Sequence, residues 1–117
     1  MPLYRGTRYP LLTAGSLGAA FSPLSLSPYL WLRFQDLNTL FTTSVGSTNV
    51  AADNDPIGRA EDKSGNGNHW VQATEGSRPL YKSNIVNGLA VARFAGADDY
   101  WGGPDLSSLT AGEVFIA

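Results

Sequence analysis

The sequence predicts an all-β, loop-rich fold, and three observations carry that prediction. Only 15% of the 117 residues are charged, against about 25% in an average soluble domain. Breakers recur at short intervals, with 13 Gly and 7 Pro, which interrupts helices and supplies turns. Between the breakers lie short runs rich in aromatic and apolar residues, the composition of half-buried strands. The length fits one domain with a hydrophobic core of its own.

Residues 1–28 predict an extended arm. Pro2, Pro10, Pro23 and Pro28 oppose helix, and Gly6, Gly15 and Gly18 loosen the rest. A solvated linker does not usually carry Tyr4, Tyr9, Leu11, Leu12, Leu17, Phe21, Leu24 and Leu26. Buried against a partner, each large side chain contributes about 1.5–3 kcal/mol. The only charges up to Phe34 are Arg5, Arg8 and Arg33, and acids begin at Asp36. An apolar, mildly basic arm suits an acidic or carbonyl-rich partner surface, with Tyr4, Arg5, Arg8, Tyr9, Leu11 and Leu12 as the docking residues. The alternatives are a frayed terminus and an arm that packs back on its own domain. Residues 11–21 fall short of a signal-peptide core, because Pro10 and the run Thr13-Ala14-Gly15-Ser16 interrupt them.

Residues 28–34 read as the first strand, with Leu30, Leu32 and Phe34 on one face and Trp31 and Arg33 on the other. Asp36 caps one helical turn over residues 37–41. Asp53-Asn54-Asp55-Pro56 is a turn, since Asp and Asn bond their own backbone and Pro fixes φ. Strand segments follow at residues 57–61, 70–73 and 78–81. Asn87-Gly88 predicts a type I′ hairpin turn. It leads into residues 89–94, read as an inner strand because both faces are largely apolar. Gly96-Ala97-Asp98-Asp99 is a further turn running into Tyr100 and Trp101. Residues 112–117 begin another strand, expected either to pair at an edge or to continue in a longer protein.

The densest turn signal is Asp62-Lys63-Ser64-Gly65-Asn66-Gly67-Asn68-His69, where Gly65, Asn66, Gly67 and Asn68 all tolerate positive φ. This run resembles the DKSGNGNH turn of concanavalin A-like (laminin G-like) jelly-roll domains, which occur in bacteriophage virion proteins and secreted glycan-binding proteins. From Pro28 onward the order of segments is similar to the N-terminal half of such a domain. The matching pieces are Leu30-Trp31-Leu32, Asp36-Leu37-Asn38-Thr39-Leu40-Phe41, Asp55-Pro56-Ile57-Gly58-Arg59, Gln72-Ala73-Thr74, Arg78-Pro79, Asn87-Gly88 and Arg93-Phe94-Ala95-Gly96-Ala97-Asp98-Asp99-Tyr100. The chain departs from the family at Arg33, where an acid is common, and at Ala60, where a larger apolar residue is common. The resemblance implies an antiparallel β-sandwich over residues 29–117, incomplete here, behind the N-terminal arm.

The chemistry-bearing residues argue against catalysis. His69 is the sole histidine and there is no cysteine, so a nucleophile–base pair, a disulfide and a thiolate metal site are all lacking. Glu61, Glu75 and Glu113 stand apart, without the paired carboxylates of glycoside hydrolysis. Asp36, Asp53, Asp55, Asp62, Asp98 and Asp99 supply oxygen enough for calcium, though not at EF-hand spacing; no cofactor is expected. Trp70 and Trp101, flanked by turns, are the candidates for stacking on sugar rings, whereas tryptophans in small β domains are ordinarily core. A net charge of -2 gives no general attraction to nucleic acid or acidic membranes.

Taken with the arm, the resemblance implies a bacteriophage virion structural protein of fibre, spike or decoration type. It would be localised in the virion, docked on a capsid, collar or tail component, homo-oligomeric, and in contact with host-surface glycans. The alternatives are a carbohydrate-binding module of a secreted or surface protein, and an enzyme fragment whose active site lies elsewhere.

Overall fold

The structure, a computed structural model, describes residues 21–112. The six docking residues of the arm and the strand expected after Gly112 lie outside the described residues. What is described is β-rich: two small antiparallel sheets joined by turns, with no α-helix among the described residues. The first sheet runs β1 (Leu40–Phe41), β2 (Arg59–Ala60), β3 (Trp70–Val71), with Leu40 opposite Ala60 and Ala60 opposite Trp70. The second pairs β4 (Leu80–Val86) with β5 (Leu89–Arg93). A bridge between Pro56 and Leu80 ties the loop before β2 to β4.

The β4–β5 hairpin follows its sequence. Asn87 and Gly88 take φ of 52° and 78°, as a type I′ turn requires. Asn84, at φ 57°, bulges β4 and shifts the register between Lys82 and Val86. The bulge is held from the Asp53 turn: Asp53 accepts from the Ser83 N–H at 2.8 Å and pairs with Lys82 at 3.2 Å. The Ser83 N–H, helped by Lys82, holds the Asp53 carboxyl below its ordinary range.

Three expectations are corrected. Residues 28–34 belong to no ladder among the described residues, where the Trp31 backbone bonds to Asp62 and Lys63 instead of to a strand. Residues 89–94 do not form an inner strand: β5 has only β4 as neighbour among the described residues, and Leu89 and Phe94 are exposed. The arm is not extended throughout. Pro23–Leu26 forms a 3-10 turn, with Ser22 capping the Leu24 N–H and Ser27 at φ 49° closing it. The turn after Asp36 does form, as a 3-10 turn over Leu37–Thr39, and the Asp36 carboxylate accepts from Asn38 at 3.3 Å.

The core is compact. Leu40, Val50, Ile57, Ala60 and Tyr81 are buried, and Leu32, Phe34, Leu37, Ala90, Ala92 and Trp101 pack around them. Ala60 has no exposure at all. Gly58 is needed for a close backbone approach, since a Cβ there would lie 2.7 Å from the Thr42 carbonyl oxygen.

Two substitutions test this packing by chemical denaturation. Leu40→Ala leaves a cavity and is expected to cost about 2–5 kcal/mol. Gly58→Ala overpacks a backbone contact and is expected to cost about 1–3 kcal/mol; a neutral Gly58→Ala would contradict the close approach.

Candidate functional site

The turn at residues 62–69 is organised by one carboxylate. Asp62 is 8% exposed. Its Oδ1 accepts from the N–H of Trp31 at 2.9 Å and of Ser64 at 2.8 Å. Its Oδ2 accepts from the Ser64 hydroxyl at 2.6 Å and the Asn68 N–H at 3.0 Å. The Asp62 N–H donates to Nδ1 of His69 at 3.0 Å, which places the proton of the neutral ring on Nε2. His69 thereby closes the turn.

Only the glycines of the run take positive φ, Gly65 at 94° and Gly67 at 76°. Asn66 and Asn68, which would also tolerate it, act through their side chains instead. Asn66 Nδ2 donates to the carbonyls of Pro28 at 3.0 Å and Tyr29 at 3.1 Å, and Asn68 Nδ2 to Tyr29 at 2.8 Å. Lys63 adds a backbone bond to Trp31, an ion pair with Asp36, and an ammonium 5.5 Å from the Trp31 ring centroid. The turn is thus a clamp on residues 28–31.

Burial opposes the charge on Asp62, but the bonds from Ser64, Trp31 and Asn68 outweigh it and hold the carboxyl below its ordinary range. Asp36 is lowered as well, first by its bond to Lys63.

The clamped segment forms one wall of an open, apolar groove of about 1500 Å³. Ala90, Val91 and Ala92 of β5, with Trp70, Leu106 and Leu109, complete much of the lining, and Arg33 is its one charged side chain among the described residues. The two tryptophans singled out in the sequence are brought together here with different surroundings. Trp101 donates its indole N–H to the Ile57 carbonyl at 3.0 Å and stacks on Phe34, with ring centroids 6.0 Å apart. Trp70 and Phe94 meet Trp101 edge to face. Trp70 also lines the groove, and a Cβ on Gly103 would come within 2.6 Å of its ring.

The acids considered for calcium are dispersed into local tasks. Asp36 pairs with Lys63, Asp53 with Lys82, and Asp55 accepts from the N–H of Ala51 and Ala52. Asp99 accepts from the Ala95 N–H at 2.7 Å. Among the described residues no three acidic or histidine groups are placed to share an ion.

Two positioning residues escaped the sequence reading. Buried Gln72 donates to the Tyr100 carbonyl and accepts from the Thr74 N–H. Arg78 spreads its guanidinium over the carbonyls of Gln72, Thr42 and Ala73 at 2.8–3.1 Å. The pairing of Arg78 with the buried Pro79 was a signal of the fold, but its acceptors are backbone carbonyls, one of them 36 positions away at Thr42, and carry no sequence pattern.

In comparisons with known proteins, no family model, no curated protein and no solved structure matches this chain.

Asp62→Ala is expected to cost about 2–4 kcal/mol, because it orphans donors in a part-buried turn. The sign of the pH effect follows from the lowered carboxyl. The stability that Asp62 supplies is complete above its unfolded pKa and is lost as pH falls through the lower folded value. Acid denaturation monitored by tryptophan fluorescence is therefore expected to show a smaller loss of stability on acidification in Asp62→Ala than in the parent.

Proposed function

We propose that this chain is a non-enzymatic structural protein of a bacteriophage virion, docked to a capsid, collar or tail component through its N-terminal arm. In this reading the β-rich body is part of a concanavalin A-like jelly roll that projects from the particle as a fibre, spike or decoration element. The observation that carries the reading is the exposure of apolar side chains where the arm meets the body. Phe21 is 73%, Leu24 50% and Leu26 57% exposed, and they continue the apolar pattern of the residues before them. Large side chains left in water at that junction are what a docking arm offers to a partner. The resemblance of residues 62–69 to the turn of virion jelly-roll domains supports the same reading, and so does the structural use of Asp62 and His69. Anchoring follows from burial of the arm's Tyr and Leu side chains, with Arg5 and Arg8 setting orientation.

The experiment is deletion of residues 1–28 followed by particle assembly. Loss of incorporation, with the body still folded by circular dichroism, is expected; normal incorporation would overturn the arm's role.

Trp70 on the groove wall favours a second reading, a carbohydrate-binding module. That reading predicts glycan-array binding by the full chain that falls at least tenfold in Trp70→Ala. Failure to bind any glycan on the array would remove it.

A further inference from the structure

Two Asn-Gly pairs occur in the sequence, Asn66-Gly67 in the clamp and Asn87-Gly88 in the turn between β4 and β5. Asparagine before glycine is the pair most prone to lose its side-chain amide. Glycine has no Cβ to shield its backbone nitrogen, so that nitrogen can reach the preceding Cγ. Asn66 and Gly67 are both exposed, and a Cβ on Gly67 would meet nothing within 4 Å among the described residues, so water has access. The amide at stake is a working part of the clamp. Asn66 Nδ2 is the donor to the carbonyls of Pro28 at 3.0 Å and Tyr29 at 3.1 Å.

We infer that Asn66-Gly67 is a self-modification site, that its reaction releases residues 28–31 irreversibly, and that the closed clamp restrains the reaction. The Gly67 nitrogen attacks Asn66 Cγ, and the new N–Cγ bond closes a succinimide ring. The Cγ–Nδ2 bond breaks, and Nδ2 leaves as ammonia with the proton of the Gly67 N–H. Water then adds to either imide carbonyl and opens the ring to aspartate or isoaspartate. No oxidant, reductant or cofactor is consumed. While Nδ2 is tied to two carbonyls, the Asn66 side chain is held toward residues 28–29, so the reaction belongs to moments when the turn is open. Afterwards the clamp cannot reclose as before. An ionised carboxylate, which only accepts, then faces two carbonyls that also only accept. Isoaspartate in addition lengthens the main chain between Asp62 and its partners Asn68 and His69, which displaces the bonds that close the turn. Asn87 is also exposed but belongs to the other turn, and serves as an internal reference. The inference stands apart from the virion reading, which concerns the arm.

Ageing of the full chain in mildly alkaline buffer tests it, with peptide mapping by mass spectrometry to read each site. Asn66 is expected to convert in the folded chain, about tenfold more slowly than in the same chain unfolded in urea. Asp62→Ala should raise the rate at Asn66 relative to that at Asn87. Should this variant unfold by circular dichroism, Asn68→Ala, which removes one bond to Tyr29, decides by the same ratio. Asn66→Asp, the direct product, should speed amide exchange at Trp31 about tenfold while the body stays folded. Four results would overturn the inference. They are no conversion of Asn66 in the folded chain, equal rates there in folded and unfolded chain, a ratio to Asn87 that the clamp variants leave unchanged, and unaltered Trp31 exchange in Asn66→Asp.

Discussion

Much of this structure depends on the carboxylate of Asp62. A buried acid is expensive unless its oxygens are fully bonded, and Asp62 meets that requirement with donors from Trp31, Ser64 and Asn68. Those donors lie on both sides of a gap of more than 30 residues in sequence. One side chain therefore closes its own turn and fixes where residues 28–31 run. Segment position, groove wall and the surroundings of Trp31 follow from that closure.

The turn divides its labour by residue type. Glycines at 65 and 67 supply the left-handed backbone, asparagines at 66 and 68 supply amide donors, and His69 supplies an acceptor. Asn66 and Asn68 reach the Pro28 and Tyr29 carbonyls across the same gap. These groups would otherwise need strand partners. A polar turn thus does for residues 28–31 what a neighbouring strand would do in a sheet, which explains how an aromatic, strand-like sequence comes to lie outside the ladders of the described residues.

Local chemistry was the legible part of the sequence. The Asn87-Gly88 hairpin, the Asp36 cap and the Asp53 turn each depend on residues within a few positions of one another, and each formed. Non-local assignments were less legible. Residues 28–34 have strand composition, but composition cannot register that a carboxylate 31 positions from Trp31 takes its N–H. The role of Arg78 depends on carbonyls drawn from two separate segments, and any residue supplies a carbonyl. Trp101 reads equally well as platform or core until its indole bond to Ile57 is seen. The β-rich class was readable for the opposite reason: it is a sum of many local breakers and short apolar runs.

If Asp62 is the shared anchor, three amides from two segments far apart in sequence must report one ionisation. NMR titration of the Trp31, Ser64 and Asn68 amide shifts in the full chain tests this most directly. A common transition at a pH below the ordinary carboxylate range, coincident with the Asp62 carboxyl carbon, is what the account predicts. Separate transitions, or a common one at or above the ordinary range, would contradict it.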